Sequence, residues 1–94
     1  MSKAEQRWEV ILSRTAEKVL GRLPRNLAER IDEAIQALAT NPRPPGCKKL
    51  SGMGYTNHYR IRVGEWRISY AIEEDELIIL VIEIAPRGNA YRFD

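Results

Sequence analysis

The stretch 59–70, YRIRVGEWRISY, decides the fold of this chain because its pattern is typical of a β-hairpin. Apolar and polar residues alternate on both sides of Gly64 and Glu65, and the glycine supplies the positive φ that a two-residue type I′ or II′ turn requires. This turn predicts three apolar cross-strand pairs: Val63 with Trp66, Ile61 with Ile68, and Tyr59 with Tyr70. The pairs share one face of the hairpin, which we expect to pack against helices.

The opposite face of the same hairpin carries arginines. Arg60 and Arg62 alternate with the apolar residues of the first strand, and Arg67 follows on the second. The turn places Arg62 directly opposite Arg67, where two like charges are unfavourable. An anionic ligand at this face would offset their repulsion, and Glu65, Glu83 or solvent would be the alternative.

Before the hairpin, the sequence predicts one strand and two helices. Residues 8–12 (WEVIL) form a strand candidate, and Ser13 or Thr15 can cap a first helix. Pro24 suits the first turn of a second helix, which runs to about Ala39. The apolar residues of this helix lie at helical spacing: Leu27, Ile31, Ala34, Ile35 and Leu38. The segment 41–46 (NPRPPG) ends it, and a loop through Lys48 and Lys49 follows.

After the hairpin, residues 77–84 (LIILVIEI) form the last strand candidate, beyond an acidic turn. A turn of two or three residues leaves open which side of this strand faces the helices. The two alternatives are Leu77, Ile79 and Val81, or Ile78, Leu80 and Ile82. The element order is therefore β-α-α-β-β-β. It predicts a single α+β domain over residues 1–94, with two N-terminal helices packed on one face of a small, mainly antiparallel sheet.

Composition limits the classes of function. The 94 residues allow one modest core, and residues 43–67 contain six Lys or Arg against one acid, which indicates either a surface for a polyanion or a solvated face. A single cysteine and a single histidine favour neither a disulfide nor a zinc site, and we expect no cofactor. No apolar stretch approaches the roughly 20 residues of a membrane span, so we expect a cytoplasmic protein.

Four further residues are candidates for binding RNA: Lys48, Lys49, Tyr55 and His58. Single-stranded RNA is bound by positive charge together with aromatic side chains that stack on bases, and Tyr55 and Tyr91 have the side chain for such stacking. His58 is either a general base or a surface residue at the edge of its strand.

Three strings carry a resemblance to a known family: NPRPPGCKKLSG (41–52), YRIRVGEWRISYAI (59–72) and LIILVIEIAPRGNAYR (77–92). They resemble the RelE/ParE toxin superfamily, in particular its RelE-like branch. The resemblance implies that Arg60 and Arg62 lie against the scissile RNA, that Arg67 and Arg87 contact the phosphate, and that Tyr91 stacks on the message and assists proton transfer. The chain has arginines where well-known members have lysines at the first two positions, and its spacing from Arg87 to Tyr91 is shorter than in some members.

By this resemblance the chain is the toxin of a type II toxin–antitoxin pair, a ribosome-dependent endoribonuclease that inhibits translation. The reaction implied is attack of a ribose 2′-OH on the adjacent phosphate of mRNA, without a metal. The partners implied are the ribosome, the message and a cognate antitoxin protein in a toxin–antitoxin hetero-oligomer. Two alternatives are a ParE-like toxin that poisons DNA gyrase without cutting RNA and an inactive member that only binds a partner. The arginines and Tyr91 favour the nuclease.

Overall fold

The computed structural model describes residues 7–50 and 57–86. Its elements, in chain order, are β1 (Glu9–Leu12), α1 (Arg14–Arg22), α2 (Arg25–Ala37), β2 (Lys48–Lys49), β3 (His58–Val63), β4 (Trp66–Glu73) and β5 (Ile78–Pro86). The predicted order of elements is confirmed. The structure adds β2, where the sequence predicts a loop. Two adjacent lysines show neither alternation nor β-branched residues, so nothing local predicted a strand there.

The hairpin of β3 and β4 has the predicted register. Val63 pairs with Trp66, and Arg62 lies opposite Arg67. Gly64 has φ +59°, whereas Glu65 is not among the residues with positive φ. A positive φ at the first turn position alone defines a type II′ turn. Glycine is needed here because other residues adopt this conformation only with strain.

The five strands form one mixed sheet in the order β1-β5-β4-β3-β2. β1 runs parallel to β5, whereas the remaining neighbours are antiparallel. The parallel pair joins the two ends of the described chain, since Glu9 lies opposite Ile78. The prediction of a mainly antiparallel sheet is therefore confirmed.

The core lies between the helices and one face of the sheet. From the helical layer, Ala16, Ile31, Ile35 and Leu38 are fully buried. The sheet contributes the apolar hairpin face together with three residues of β5. These buried sheet residues are Tyr59, Ile61, Ile68, Tyr70, Ile72, Ile79, Val81 and Ile84. The helices thus cover one face of the sheet, and we call the other face the open face.

The structure also decides the orientation of β5. Ile79 and Val81 are fully buried, so Ile78 and Leu80 lie on the open face. The connection from β4 is a turn of four residues, 74–77, and not the two or three expected. It includes Leu77 in the left-handed region, at φ +57°. The sequence does not predict this left-handed conformation of Leu77, because leucine rarely adopts a positive φ.

Ser13 joins the start of α1 to β5. Its Oγ accepts a hydrogen bond from the Ala16 N–H at 3.0 Å, which makes it the N-cap. The same hydroxyl donates to the carbonyl of Ile82 at 2.8 Å. Ser13 therefore satisfies a free N–H of the helix and a carbonyl of the sheet at once.

We expect Ser13→Ala to lower the free energy of unfolding by about 1–3 kcal/mol, because it removes both the helix cap and the bond to Ile82. Thr15→Ala is the matched control. Thr15 is exposed, and its hydroxyl has no hydrogen-bond partner among the described residues. Urea unfolding of both variants measures the difference. Equal stability of the two variants would contradict the role of Ser13.

Candidate functional site

The candidate site is a cluster of cations on the open face, which we call the basic face: Lys48, Arg60, Arg62 and Arg67. Three neighbouring strands supply them. Lys48 of β2 lies opposite Arg60 of β3, and Arg62 of β3 lies opposite Arg67 of β4. Side chains at directly opposed positions have Cβ atoms about 4.5–5.5 Å apart, so the four charges form one patch.

Two of these arginines are available to a ligand. Arg62 is exposed, and Arg60 is half-buried. Neither forms an ion pair with another described residue, in contrast to Arg25, which pairs with Glu29, and Arg43, which pairs with Glu74. A guanidinium is always charged and presents a planar set of donors that matches phosphate oxygens. The basic face can therefore bind a phosphodiester.

A groove of about 310 Å³ lies beside Arg60 and Arg62. Its other walls are Lys48, Ile61, and Pro45 and Gly46 of the loop after α2. The sequence predicts that loop only as the end of a helix. The available signal was Gly46, which adopts φ +91° and turns the chain toward β2.

Two core tyrosines hold the same loop in place. The Tyr70 hydroxyl donates to the Pro42 carbonyl at 2.7 Å, and Arg43 Nε donates to the Tyr59 hydroxyl at 3.2 Å. Burial raises the pKa of Tyr70, so its hydroxyl remains a donor at neutral pH. The two rings stack with centroids 6.0 Å apart. The hairpin core therefore positions the wall of the groove.

Arg43 and Lys49 lie away from the basic face. Arg43 forms an ion pair with Glu74 at 3.0 Å, and its guanidinium lies 5.2 Å from the centre of the Tyr59 ring. The hydrogen bond to Tyr59 and the pairing with Glu74 raise the pKa of Arg43. Lys49 is opposite Tyr59, so it lies on the side of the sheet that carries the helices. The basic run 43–67 is thus divided between two faces.

A second cavity, of about 460 Å³, lies on that side. Arg43 and Lys49 line it together with Asn57, Tyr59, Ile72 and the acidic segment 73–76. Although it is the larger cavity, its acids oppose the binding of a polyanion. The groove beside the basic face therefore remains the candidate functional site.

One acid, Glu83, lies on the open face next to the basic face. It is exposed and lies opposite Ser69 of β4, which in turn lies opposite Arg60 of β3. From the sequence, Glu83 is predicted only as a charge that could offset the repulsion between the arginines. Its position depends on an irregularity in β5 that the sequence does not reveal.

The remaining predicted site residues divide into two groups. His58 is half-buried at the start of β3 and lies opposite Ala71. It is on the same face of the strand as Arg60, two residues before it. Tyr55, Arg87 and Tyr91 lie outside the described residues. Within residues 7–50 and 57–86, no group of three or more His, Cys, Asp or Glu side chains is arranged to hold a metal ion.

A membrane-spanning helix is absent from the part of the chain that the structure describes. Neither α1 nor α2 has the length and apolar character to cross a bilayer.

Comparison with known proteins identifies the family. Residues 10–91 match the family model of the ParE toxin of type II toxin–antitoxin systems. The chain belongs to this family, and it is thus a type II toxin of the RelE/ParE superfamily.

Relatives of similar sequence include RelE proteins. RelE1 of Methanocaldococcus jannaschii is 35% identical over 78 residues, which cover 80% of this chain and 84% of that protein. Among solved structures, the archaeal RelE–RelB complex from Pyrococcus horikoshii OT3 matches with a TM-score of 0.74 and 28% identity, covering 86% of this chain and 96% of that chain. The RelB–RelE antitoxin–toxin complex from Methanococcus jannaschii matches with a TM-score of 0.70 and 26% identity, covering 89% and 98%. These matches agree with the RelE-like resemblance of the sequence.

Proposed function

We propose that this toxin is an endoribonuclease that cuts mRNA on the ribosome and thereby stops translation. The observation that carries the proposal is the basic face. Arg60 and Arg62 line an open groove, and Arg67 lies opposite Arg62 on the next strand, so the three guanidinium groups can contact the phosphates of a single strand. Because messages and ribosomes are cytoplasmic, the toxin acts in the cytoplasm.

The reaction that suits this face is attack of a ribose 2′-OH on its own 3′-phosphate. It leaves a 2′,3′-cyclic phosphate and a free 5′-OH. Arginines stabilise the extra negative charge of the phosphorane, and alignment of the 2′-OH with the phosphate supplies much of the remaining acceleration. By resemblance, Arg87 contributes a further positive charge, and Tyr91 stacks on the message and assists proton transfer. The chemistry requires no metal.

A second candidate is poisoning of DNA gyrase, because the matching family model is that of ParE toxins. The two functions predict different damage after expression of the chain without a partner. For the nuclease, primer extension should map cuts inside the codons of translated messages, and protein synthesis should stop. Intact messages together with double-strand DNA breaks would instead favour the gyrase poison. Normal synthesis with intact messages and intact DNA, despite abundant soluble protein, would contradict both.

We also propose that a cognate antitoxin covers the open face in a hetero-oligomer. The solved relatives from the two archaea are complexes of RelE with RelB. Beside the basic face of this chain lies an apolar strip formed by Ile11, Ile78 and Leu80. Ile11 is 39% exposed, and Ile78 and Leu80 on the neighbouring strand are half-buried. Contiguous exposed apolar surface of this kind marks interaction sites. A segment with apolar anchors followed by carboxylates would cover both surfaces and exclude RNA.

Antitoxin binding should therefore depend on salt and on the arginines. We expect a co-expressed antitoxin to bind more weakly at high salt, and Arg60→Ala/Arg62→Ala to lose most of that dependence, because exposed charge pairs are screened. Titration at two salt concentrations measures both effects. An affinity indifferent to salt and to the loss of both arginines would show that inhibition arises elsewhere on the surface.

A further inference from the structure

A β-bulge in β5 determines which face carries Glu83. Ile79 and Val81 face the helices and are fully buried. With strict alternation, Glu83 would lie on that buried side too. Instead the register shifts: Tyr70 of β4 lies opposite Val81, but Ser69 lies opposite Glu83, so Ile82 is the extra residue. After the bulge, Ile84 lies in the core and Glu83 lies on the open face.

The bulge is anchored from the helical layer. The Ser13 N–H donates to the carbonyl of Val81 at 2.8 Å, and the Ser13 hydroxyl donates to the carbonyl of Ile82 at 2.8 Å. Ser13 is itself fixed as the N-cap of α1. Ser13 therefore holds the bulge by one hydrogen bond to Val81 and one to the extra residue, Ile82. Bulges occur often beside active sites, where they redirect a side chain.

The redirected carboxylate lies on the same face of the sheet as the cations of the candidate site. Arg67 is its diagonal neighbour on β4, because Arg67 lies opposite Ala85. Such neighbours lie about 7–8 Å apart, within reach of long side chains. Arg60 lies in the same row across the sheet, because Ser69 of β4 is opposite Glu83 of β5 on one side and opposite Arg60 of β3 on the other. In α1, the charged residue nearest in sequence to Ser13, which bonds to the bulge, is Arg14.

The proposed reaction needs a group that accepts the proton of the 2′-OH. Arginine and lysine are protonated at neutral pH, so the basic face cannot supply it. His58 lies two residues before Arg60 on the same face of β3, and it is therefore farther from the Arg62–Arg67 pair than Arg60 is. Glu83 is an exposed carboxylate that lies diagonal to Arg67 on the next strand and in the same row across the sheet as Arg60, with Ser69 between them.

We propose that Glu83 is the general base of the reaction, an inference that rests on the proposed function. The Glu83 carboxylate takes the proton from the 2′-OH as O2′ forms its bond to phosphorus. The bond from phosphorus to O5′ breaks, and O5′ takes a proton from water or from an acid on the opposite side of the phosphate. Glu83 then releases its proton to solvent, so the protein is unchanged.

The test compares Glu83→Gln with Glu9→Gln in the full chain. Glu9 is exposed on the open face at the end of β1, beside the apolar strip and away from the basic face. Each of the two variants removes one negative charge. Cleavage of a message on programmed ribosomes is measured with the toxin in excess, in a single turnover, alongside binding to the same ribosomes. Melting temperatures establish that both variants fold.

We expect Glu83→Gln to cleave roughly 100-fold to 10,000-fold more slowly than the wild type, while binding is equal or tighter because a negative charge is lost. Glu9→Gln should cleave at the wild-type rate. The dependence of the cleavage rate on pH should differ between the wild type and Glu83→Gln, because only the wild type has the proposed proton acceptor. Glu83→Asp, which keeps the base but shortens it, should recover part of the rate.

Two results would overturn the inference, and they are distinguishable. If the wild type cleaves and Glu83→Gln cleaves equally fast, Glu83 is not the base although the chain is a nuclease. If Glu83→Gln and Glu83→Asp are equally slow with the same pH profile as the wild type, the carboxylate acts on the site without accepting the proton. A wild type that cuts no message would instead refute the proposed function, and this inference with it.

Discussion

Arg67→Ala is expected to lower the rate of message cleavage by about 100-fold to 1,000-fold, because one donor aimed at transition-state charge contributes roughly 2.7–4 kcal/mol. Arg67 lies in the middle of the open face, between Arg62 on one strand and Ala85 on the other. Alanine at this position leaves the negative charge of the phosphorane with one cation fewer. By resemblance, Arg87→Ala should cause a loss of similar size.

The same substitution should leave the fold nearly unchanged. Arg67 is half-buried outside the core, and its removal relieves the repulsion from Arg62, so we expect the free energy of unfolding to change by less than about 1 kcal/mol. Arg25→Ala is the matched control. It removes the same charge from a side chain that is 90% exposed on α2. Single-turnover cleavage and urea unfolding measure both variants.

Two outcomes would contradict the roles given to Arg67. If Arg67→Ala cleaves as fast as Arg25→Ala, the basic face does not act on the scissile phosphate. If Arg67→Ala instead melts far below the wild type, the hairpin register is wrong, because that register leaves Arg67 outside the core.

Ile35→Ala is expected to have the largest effect on stability, a loss of about 2–5 kcal/mol. Ile35 of α2 is fully buried among the apolar residues of the sheet, so alanine leaves a cavity there. Small domains have total stabilities of about 5–15 kcal/mol. The change therefore corresponds to a melting temperature lower by roughly 10–30 °C in a domain of this size.

Ile11→Ala is the control for this measurement. It removes the same atoms from a residue that is 39% exposed on the open face, and we expect a loss below about 1 kcal/mol. Thermal unfolding of both variants, followed by circular dichroism, gives the comparison. Similar melting temperatures for the two variants would mean that α2 does not pack on the sheet through Ile35.

The sequence alone determined the hairpin, the helices and the position of three arginines. The type II′ turn depends on Gly64 and its immediate neighbours, and alternation then fixes every pair from Val63–Trp66 to Tyr59–Tyr70. The apolar face of α2 is equally local, because helical spacing places Ile31 and Ile35 on one side. Tyr55, Arg87 and Tyr91 stay predictions, since they lie outside the described residues.

Only the tertiary structure decided which residues of β5 face the helices and which lysine joins the basic face. Every residue from Leu77 to Ile82 is apolar, so alternation gave no direction. Ser13 makes the bulge possible from 69 residues away in the chain, by bonding to Ile82. Lys48 and Lys49 are adjacent in sequence, yet the pairing of β2 with β3 turns them to opposite sides. Local pattern fixes a register only where polar and apolar residues alternate. Where they do not alternate, long-range backbone pairing determines on which face each side chain lies.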